Sequence, residues 1–446
     1  MRSLSDELKK YGYVFSLKRS VLLYLMTFGV MLLLGRIFAL SLLAQTVLCV
    51  AGLLMLPFFL RNVWENRYHQ KRFSDLNIYM EQFLYSFQRS GKILETLEDL
   101  LMIFEDGEMK TVLQKARNHI LHTYDEADVE EQALQIIECA YAYDGLRMIH
   151  HFALAAEALG GDFQESTRLL LDARRMFADR VYALQQEQKA KRREIFLSIL
   201  VSLMLCSMVF VLAMRVGVDI SDNPVAQGVS TAVLLLDLLI FYRADKKLTV
   251  GLVESDHRRD EDYVRLYHRY MKYNERWAIS RLRKHVAGKS LTRELEKQYP
   301  NWLMELSLLL QTENVPMAIQ KSYAMAPKLL QPAIARFILE NKEQPESMLP
   351  YLHFLHEFSI PEVTSSMKML YSLSSGTGGD AKAQIADLIR RNQYLYDKAQ
   401  KLENEDSLAG MYVMFLAPQL TGGLKMVVDM VLLLVVYLSQ QSMTLG

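Results

Sequence analysis

Three charges sit inside apolar runs of this 446-residue sequence, where charge is expensive. Asp237 lies within LLLDLLIFYR, and Lys425 and Asp429 lie within the apolar stretch Met411–Leu438. An ionisable side chain inside a bilayer is costly and marks a site by default. Lys425 and Asp429 are one helical turn apart, so they can pair with each other at i, i+4. Asp237 is near one end of its run and can reach Arg243 or water. The three residues are therefore candidates for holding spans together or for touching a partner's membrane helix.

Other residue patterns carry less chemistry. His119 and His122 form HxxH without the glutamate of HExxH, and His150 and His151 diverge on a helix, which favours surface histidines over a metal site. No GxxxxGK[ST] pattern is present, and SSGTGGDAK at 374–382 has neither the spacing nor a preceding strand. ATP hydrolysis is thus expected of a separate protein. No GxSxG elbow occurs. Of the three cysteines, Cys49 and Cys206 lie in apolar runs and Cys139 stands alone; buried reduced thiols are expected, and no disulfide framework. Catalytic residues, metals and cofactors are not expected.

The apolar runs must position those charges. A helix needs roughly 20 apolar residues to cross a bilayer. Val21–Leu60 holds two spans with a turn near Gly35–Arg36. Ile195–Met214 and Val225–Tyr242 are a second pair, separated by the turn-forming RVGVDISDNP. Met411–Leu438 contains Pro418 and Gly422–Gly423 and is read as one crossing. The first run follows basic residues but has no clear cleavage site, so it reads as a retained hairpin rather than a signal peptide. Arg61, Arg67, Lys71 and Arg72 follow the second span. Lys189, Lys191, Arg192 and Arg193 precede the third, and Arg243, Lys246 and Lys247 follow the fourth. The short turns hold little positive charge, so the long loops are expected in the cytosol.

The expected organisation is an all-α membrane protein with two repeated helical bundles and about five transmembrane helices. A tail (1–19) leads to a membrane hairpin (20–60), a first bundle (61–194), a second hairpin (195–242), a second bundle (243–410), a last span (411–438) and a tail (439–446). Leu76, Tyr79, Met80, Phe83, Leu84 and Phe87 follow the period of one buried helix face. Lysine plus arginine equals aspartate plus glutamate, 51 each, which gives no hint of nucleic-acid binding.

Two segments recur. YMEQFLYSFQRSGKILETL (79–97) aligns with WLMELSLLLQTENVPMAIQ (302–320), placing Tyr79 on Trp302, Met80 on Leu303, Phe83 on Leu306, Phe87 on Leu310, and Gly91 on Asn314. Further on, Gly160-Gly161-Asp162 opens a charged helix leading to the span at Ile195. Gly378-Gly379-Asp380 does the same before Met411. The glycines suit a turn with unusual backbone angles and the aspartate can cap the next helix. Common order argues for duplication. The second copy carries an extra charged and aromatic stretch near 256–299, read as a juxtamembrane helix or a partner surface, or else as a solvated helix. The acidic run Asp125–Glu131 is read chiefly as a solvated loop.

This organisation resembles the type II secretion F superfamily, the GspF- and PilC-like platform proteins of type II secretion, type IV pili and Tad pili. RSGKILETLEDL and the segment from ALGGDFQESTRLLLDARR to the span are similar to the TadB type. The second half resembles the TadC partner more weakly, so the chain looks like both halves fused. Asn314 stands where that family's glycine is usual. The resemblance implies a scaffold in the cytoplasmic (inner) membrane, a homo-oligomer without enzymatic activity. Its implied partners are a hexameric assembly ATPase, pilin subunits and other membrane components. Asp237, Lys425 and Asp429 would then touch other spans or pilin helices. A transporter with cytosolic regulatory domains is the main rival, and a membrane-bound sensor the second.

Overall fold

In the computed structural model the described residues are 17–123, 128–160, 163–218, 220, 223–249, 257–272, 278–310, 313–377 and 381–444. Among them every regular element is helical and no strand occurs. They divide into two compact units, one of residues 1–74, 181–252 and 408–446, the other of residues 75–180 and 253–407.

The first unit contains α1 (Leu17–Ile37), most of α2 (Leu42–Ser90), the second half of α7 (Gln164–Val216), α8 (Pro224–Lys247) and α16 (Met411–Thr444). These five helices are long and apolar enough to cross a membrane. Their apolar side chains point outward to an extent that water would not tolerate: Leu22, Leu42, Met204 and Leu420 are each at least two-thirds exposed. A continuous apolar surface of this kind needs a lipid or protein cover. The chain is therefore built as a multi-pass membrane protein.

Local structure sharpens the spans. The first turn falls at Phe38–Ser41 rather than Gly35–Arg36. Gly35 stays helical because it lies against the Gln45 side chain, where a Cβ would collide. The Gln227 amide holds the turn instead, donating to the Ala39 carbonyl (2.8 Å) and accepting from the Ser41 N–H (2.8 Å). α16 runs unbroken through Pro418 and Gly422–Gly423, in keeping with one crossing, and it extends beyond Leu438.

The second unit holds two stretches with the same order of elements. In one, the end of α2 is followed by α3 (Ile93–Ile103), α4 (Glu108–His122), α5 (Val129–Ala140), α6 (Asp144–Leu159) and the start of α7. In the other, α9 (His257–Lys272) precedes α10 (Ala278–Leu309), followed by α11 (Val315–Ser322), α12 (Gln331–Glu343) and α13 (Leu349–His353). A 3₁₀ turn at His356–Phe358, α14 (Pro361–Ser375) and α15 (Ala381–Leu408) complete it. In each stretch four short helices pack in sequence and the first touches the fourth, α3 against α6 and α11 against α14.

The paired positions are buried on both sides. Tyr79, Met80, Phe83 and Phe87 are inaccessible, as are Trp302, Leu303 and Leu306, with Leu310 nearly so. The turns differ. Gly91 has φ +63°, whereas Asn314 has φ −72° and caps α11 by accepting from the Met317 N–H. The glycine that ends the helix is Gly160 (φ +66°) in the first stretch but Gly376 (φ +66°) in the second, two residues ahead of the GGD motif. Gly161, Asp162, Gly378, Gly379 and Asp380 lie outside the described residues, as do Asp125 and Glu126 of the acidic run.

The segment 256–299 is not a solvated addition. Tyr267, Leu291, Leu295 and Tyr299 belong to the same hydrophobic core as Trp302, because α10 itself carries Trp302 and α9 packs against α10. Its charge hid a buried face: α10 spaces Leu291, Leu295, Tyr299 and Trp302 three or four residues apart.

Candidate functional site: a polar seam among the span helices

Small polar side chains on α7 recur every four residues: Ser198, Ser202 and Cys206. That spacing puts all three on one helix face. Each reaches a backbone carbonyl of α16: Ser198 Oγ donates to Phe415 (2.7 Å), Ser202 Oγ to Pro418 (2.7 Å) and Cys206 Sγ to Gly422 (3.4 Å). Pro418 removes one backbone donor from its helix, which leaves the Met414 carbonyl without its i+4 partner, and the two hydroxyls bond the nearby carbonyls of Phe415 and Pro418. Gly422 makes the approach possible, since a Cβ there would lie 2.0 Å from Ser202 Oγ. Small residues at a close crossing are a known packing device of membrane helices.

Beside this seam lie the charges singled out in the sequence. Lys425 and Asp429 form an ion pair along α16, and both are fully buried. The Lys425 ammonium also lies 5.5 Å from the centre of the Phe38 ring. Asp429 Oδ1 has no hydrogen-bond partner among the described residues. Asp237, expected to reach Arg243 or water, does neither: it is 4% exposed, and its partner is the Thr421 hydroxyl at 3.4 Å. Its other carboxylate oxygen is unpartnered among the described residues. The reason is packing, because α8 lies along α16 and turns Asp237 onto that helix.

A second polar point was not anticipated. Asp245 is buried near the end of α8, receives a hydrogen bond from Asn62 Nδ2 (3.1 Å) and lies 2.9 Å from Arg192 Nε. It joins α2, α7 and α8 just beyond their apolar runs. Its neighbours were visible only as basic flanks; nothing local distinguished Arg192 from Arg193. The Ser198-Ser202-Cys206 stripe, by contrast, was legible as a four-residue period.

In the other unit, the sequence expectation for histidine is corrected at His150. It is fully buried, with Nε2 2.9 Å from the Tyr79 hydroxyl and Nδ1 2.8 Å from Glu138 Oε1. Burial pushes the His150 pKa down, only partly opposed by its hydrogen bond to Glu138 and that carboxylate's charge. Burial and the Glu138 charge push the Tyr79 phenol well up. The neutral imidazole thus accepts from Tyr79 and donates to Glu138, a closed relay with Arg147 3.7 Å from the carboxylate. The His150 ring is packed against Tyr79 and Phe83 in the core. Cys139, expected buried, is exposed, while Cys49 and Cys206 are buried.

His150 has a consequence for stability. A base whose folded pKa lies below the unfolded value of about 6.5 binds its proton less readily when folded, so stability falls as pH drops below that value. The loss continues until the folded pKa is passed. The detergent-solubilised chain should melt at a lower temperature at pH 5.5 than at pH 7.5, and His150→Gln should flatten that difference. Equal melting temperatures for the wild type at both pH values would refute it.

No protein-family model, no curated protein and no solved structure matches this chain. The seam is therefore interpreted from its own chemistry. It holds helices together with hydroxyl and thiol donors, one buried ion pair and the buried Asp237 carboxylate.

Proposed function

We propose that the chain is the membrane platform of a pilus-assembly or secretion machine, a scaffold without catalytic residues that couples a separate cytosolic ATPase to filament assembly. One observation carries this reading: two stretches with the same order of helices, each leading by a long helix to a span, with buried residues at every aligned core position. A duplication of a membrane-linked helical bundle accounts for that order, and the F-type platform proteins have this organisation. The basic residues that flank the spans support a cytosolic position for both bundles, within reach of a motor. The platform sits in the cytoplasmic membrane, works as a homo-oligomer and meets pilin subunits within the bilayer. Force on the bundles reaches the spans through α2, α7 and α15, and the seam around Pro418 keeps α7 and α16 moving as one.

The buried carboxylates Asp237 and Asp429 favour one rival, a transporter, because intramembrane acids also mark ion paths. The two readings separate in cells lacking the gene. Electron microscopy should show no surface filaments while unassembled pilin stays in the membrane. Normal filaments together with a defect in solute uptake would make the chain a transporter.

A further inference from the structure

A groove of about 960 Å³ opens in the second helical stretch, between α9, α10, the 3₁₀ turn and α15. Its basic lining is Arg281, Lys284, His285, Lys289, Arg293 and His356. All but the last lie on one face of α10, at i, i+3, i+4, i+8 and i+12, a ladder of about 18 Å at 1.5 Å per residue. Thr292 adds a hydroxyl to the same face.

The lining holds two acids, and both are already engaged. Glu296 is bound by Lys398 (2.9 Å), and Glu357 is gripped by Arg336 through both oxygens (2.5 and 3.2 Å). Burial by itself would raise the Glu357 pKa, but the Arg336 hydrogen bonds outweigh it and hold the carboxylate below its ordinary range. Neither Lys398 nor Arg336 lines the groove. Both acids are thus paired from behind, Lys398 being shared with Glu362 (2.9 Å), and Arg293 is matched by Glu405 (3.1 Å) and Asp406 (3.0 Å). Arg281, Lys284 and Lys289 add three further positive charges to a lining that is otherwise histidine or uncharged. It stands on a firm floor: Tyr270 stacks on Phe358 at 5.3 Å, Lys284 lies 5.6 Å from the Tyr270 ring centre, and Gly288 lets α9 come close.

We propose that this groove binds a phosphate-bearing anion. A ladder of cations over three turns, with a hydroxyl between them, suits several phosphate oxygens better than a single carboxylate, which one arginine would satisfy. The ligand is a soluble polyphosphate compound or the headgroup of an anionic lipid, and the two share this chemistry. Binding is predominantly electrostatic and weakens with salt.

The test uses the full chain in phosphatidylcholine nanodiscs with inorganic pyrophosphate as probe. Lys284→Glu with Lys289→Glu should weaken binding about tenfold or more, as loss of two charge-assisted contacts requires. The control pair Lys115→Glu and Lys342→Glu, exposed and away from the groove, should leave it unchanged. Because the reversed variant can misfold, amine labelling of the wild type gives a second reading: pyrophosphate should protect Lys284 and Lys289. Discs containing phosphatidylglycerol separate the sources. Weaker pyrophosphate binding there identifies a competing headgroup, and unchanged binding identifies a soluble ligand. No pyrophosphate binding at low salt, no protection of the two lysines, or an equal loss in the control pair would overturn the proposal. So would capture of polyglutamate alone, which would make the groove a protein-docking surface.

Discussion

Lys425→Ala should destabilise the unit that carries the span helices by about 3–5 kcal/mol, the usual result of removing one partner from a buried ion pair. The size follows from what is left behind. Asp429 is fully buried, and among the described residues one of its oxygens lacks a partner while the other is bonded to the Lys425 ammonium. The Phe38 ring would also lose the charge it faces. Replacing both members with apolar residues removes the uncompensated charge, so Lys425→Met with Asp429→Leu should recover most of the loss. Thermal unfolding in a neutral detergent, run on the two single variants and the double, measures the coupling. If Lys425→Ala melts with the wild type, the pair does not support the helices. If the double variant is as stable as the wild type but filaments are lost, the charges act on a partner.

The second large effect is expected at Trp302. Its ring is inaccessible, stacks on Phe354 at 5.3 Å and lies 5.6 Å from Tyr299, and its Nε1 donates to Ser322 Oγ (2.9 Å). Trp302→Ala removes the transfer energy of a large side chain and leaves a cavity, about 3–5 kcal/mol together. It also costs the buried Ser322 hydroxyl its donor, although that hydroxyl still bonds the Ile319 carbonyl at 2.8 Å. Trp302→Phe fills much of the volume and should cost clearly less. Hydrogen exchange of the detergent-solubilised chain distinguishes local from general loss: faster exchange should concentrate in α10, α11 and α13. A uniform change over α3–α6 as well would mean that the two stretches unfold together.

The sequence carried the helical class and the span-length helices directly, because both are properties of local pattern. Apolar runs of about 20 residues have few other uses, and the period of Tyr79, Met80, Phe83 and Phe87 marks a buried face whatever packs on it. The intramembrane charges were legible for the same reason: a charge in an apolar run is conspicuous one residue at a time. Lys425 and Asp429 met across a single helical turn, a distance the sequence itself specifies.

Tertiary structure decided the rest. Asp237 turned to Thr421 rather than Arg243 because α8 packs along α16, and its neighbour in space is remote in the chain. His150 became a core residue because Tyr79 and Glu138, on two other helices, supply one partner for each ring nitrogen; without them it would stay at the surface. The stretch near 256–299 looked solvated because its composition is charged, yet composition does not say which face of a helix is covered. The balanced total charge likewise concealed a basic groove, since a sum over the chain does not say where charges gather, and Glu296 and Glu357 are paired with Lys398 and Arg336. Local sequence sets which side chains share a helix face. Only packing between helices sets which faces meet, and the buried polar partners here are of that second kind.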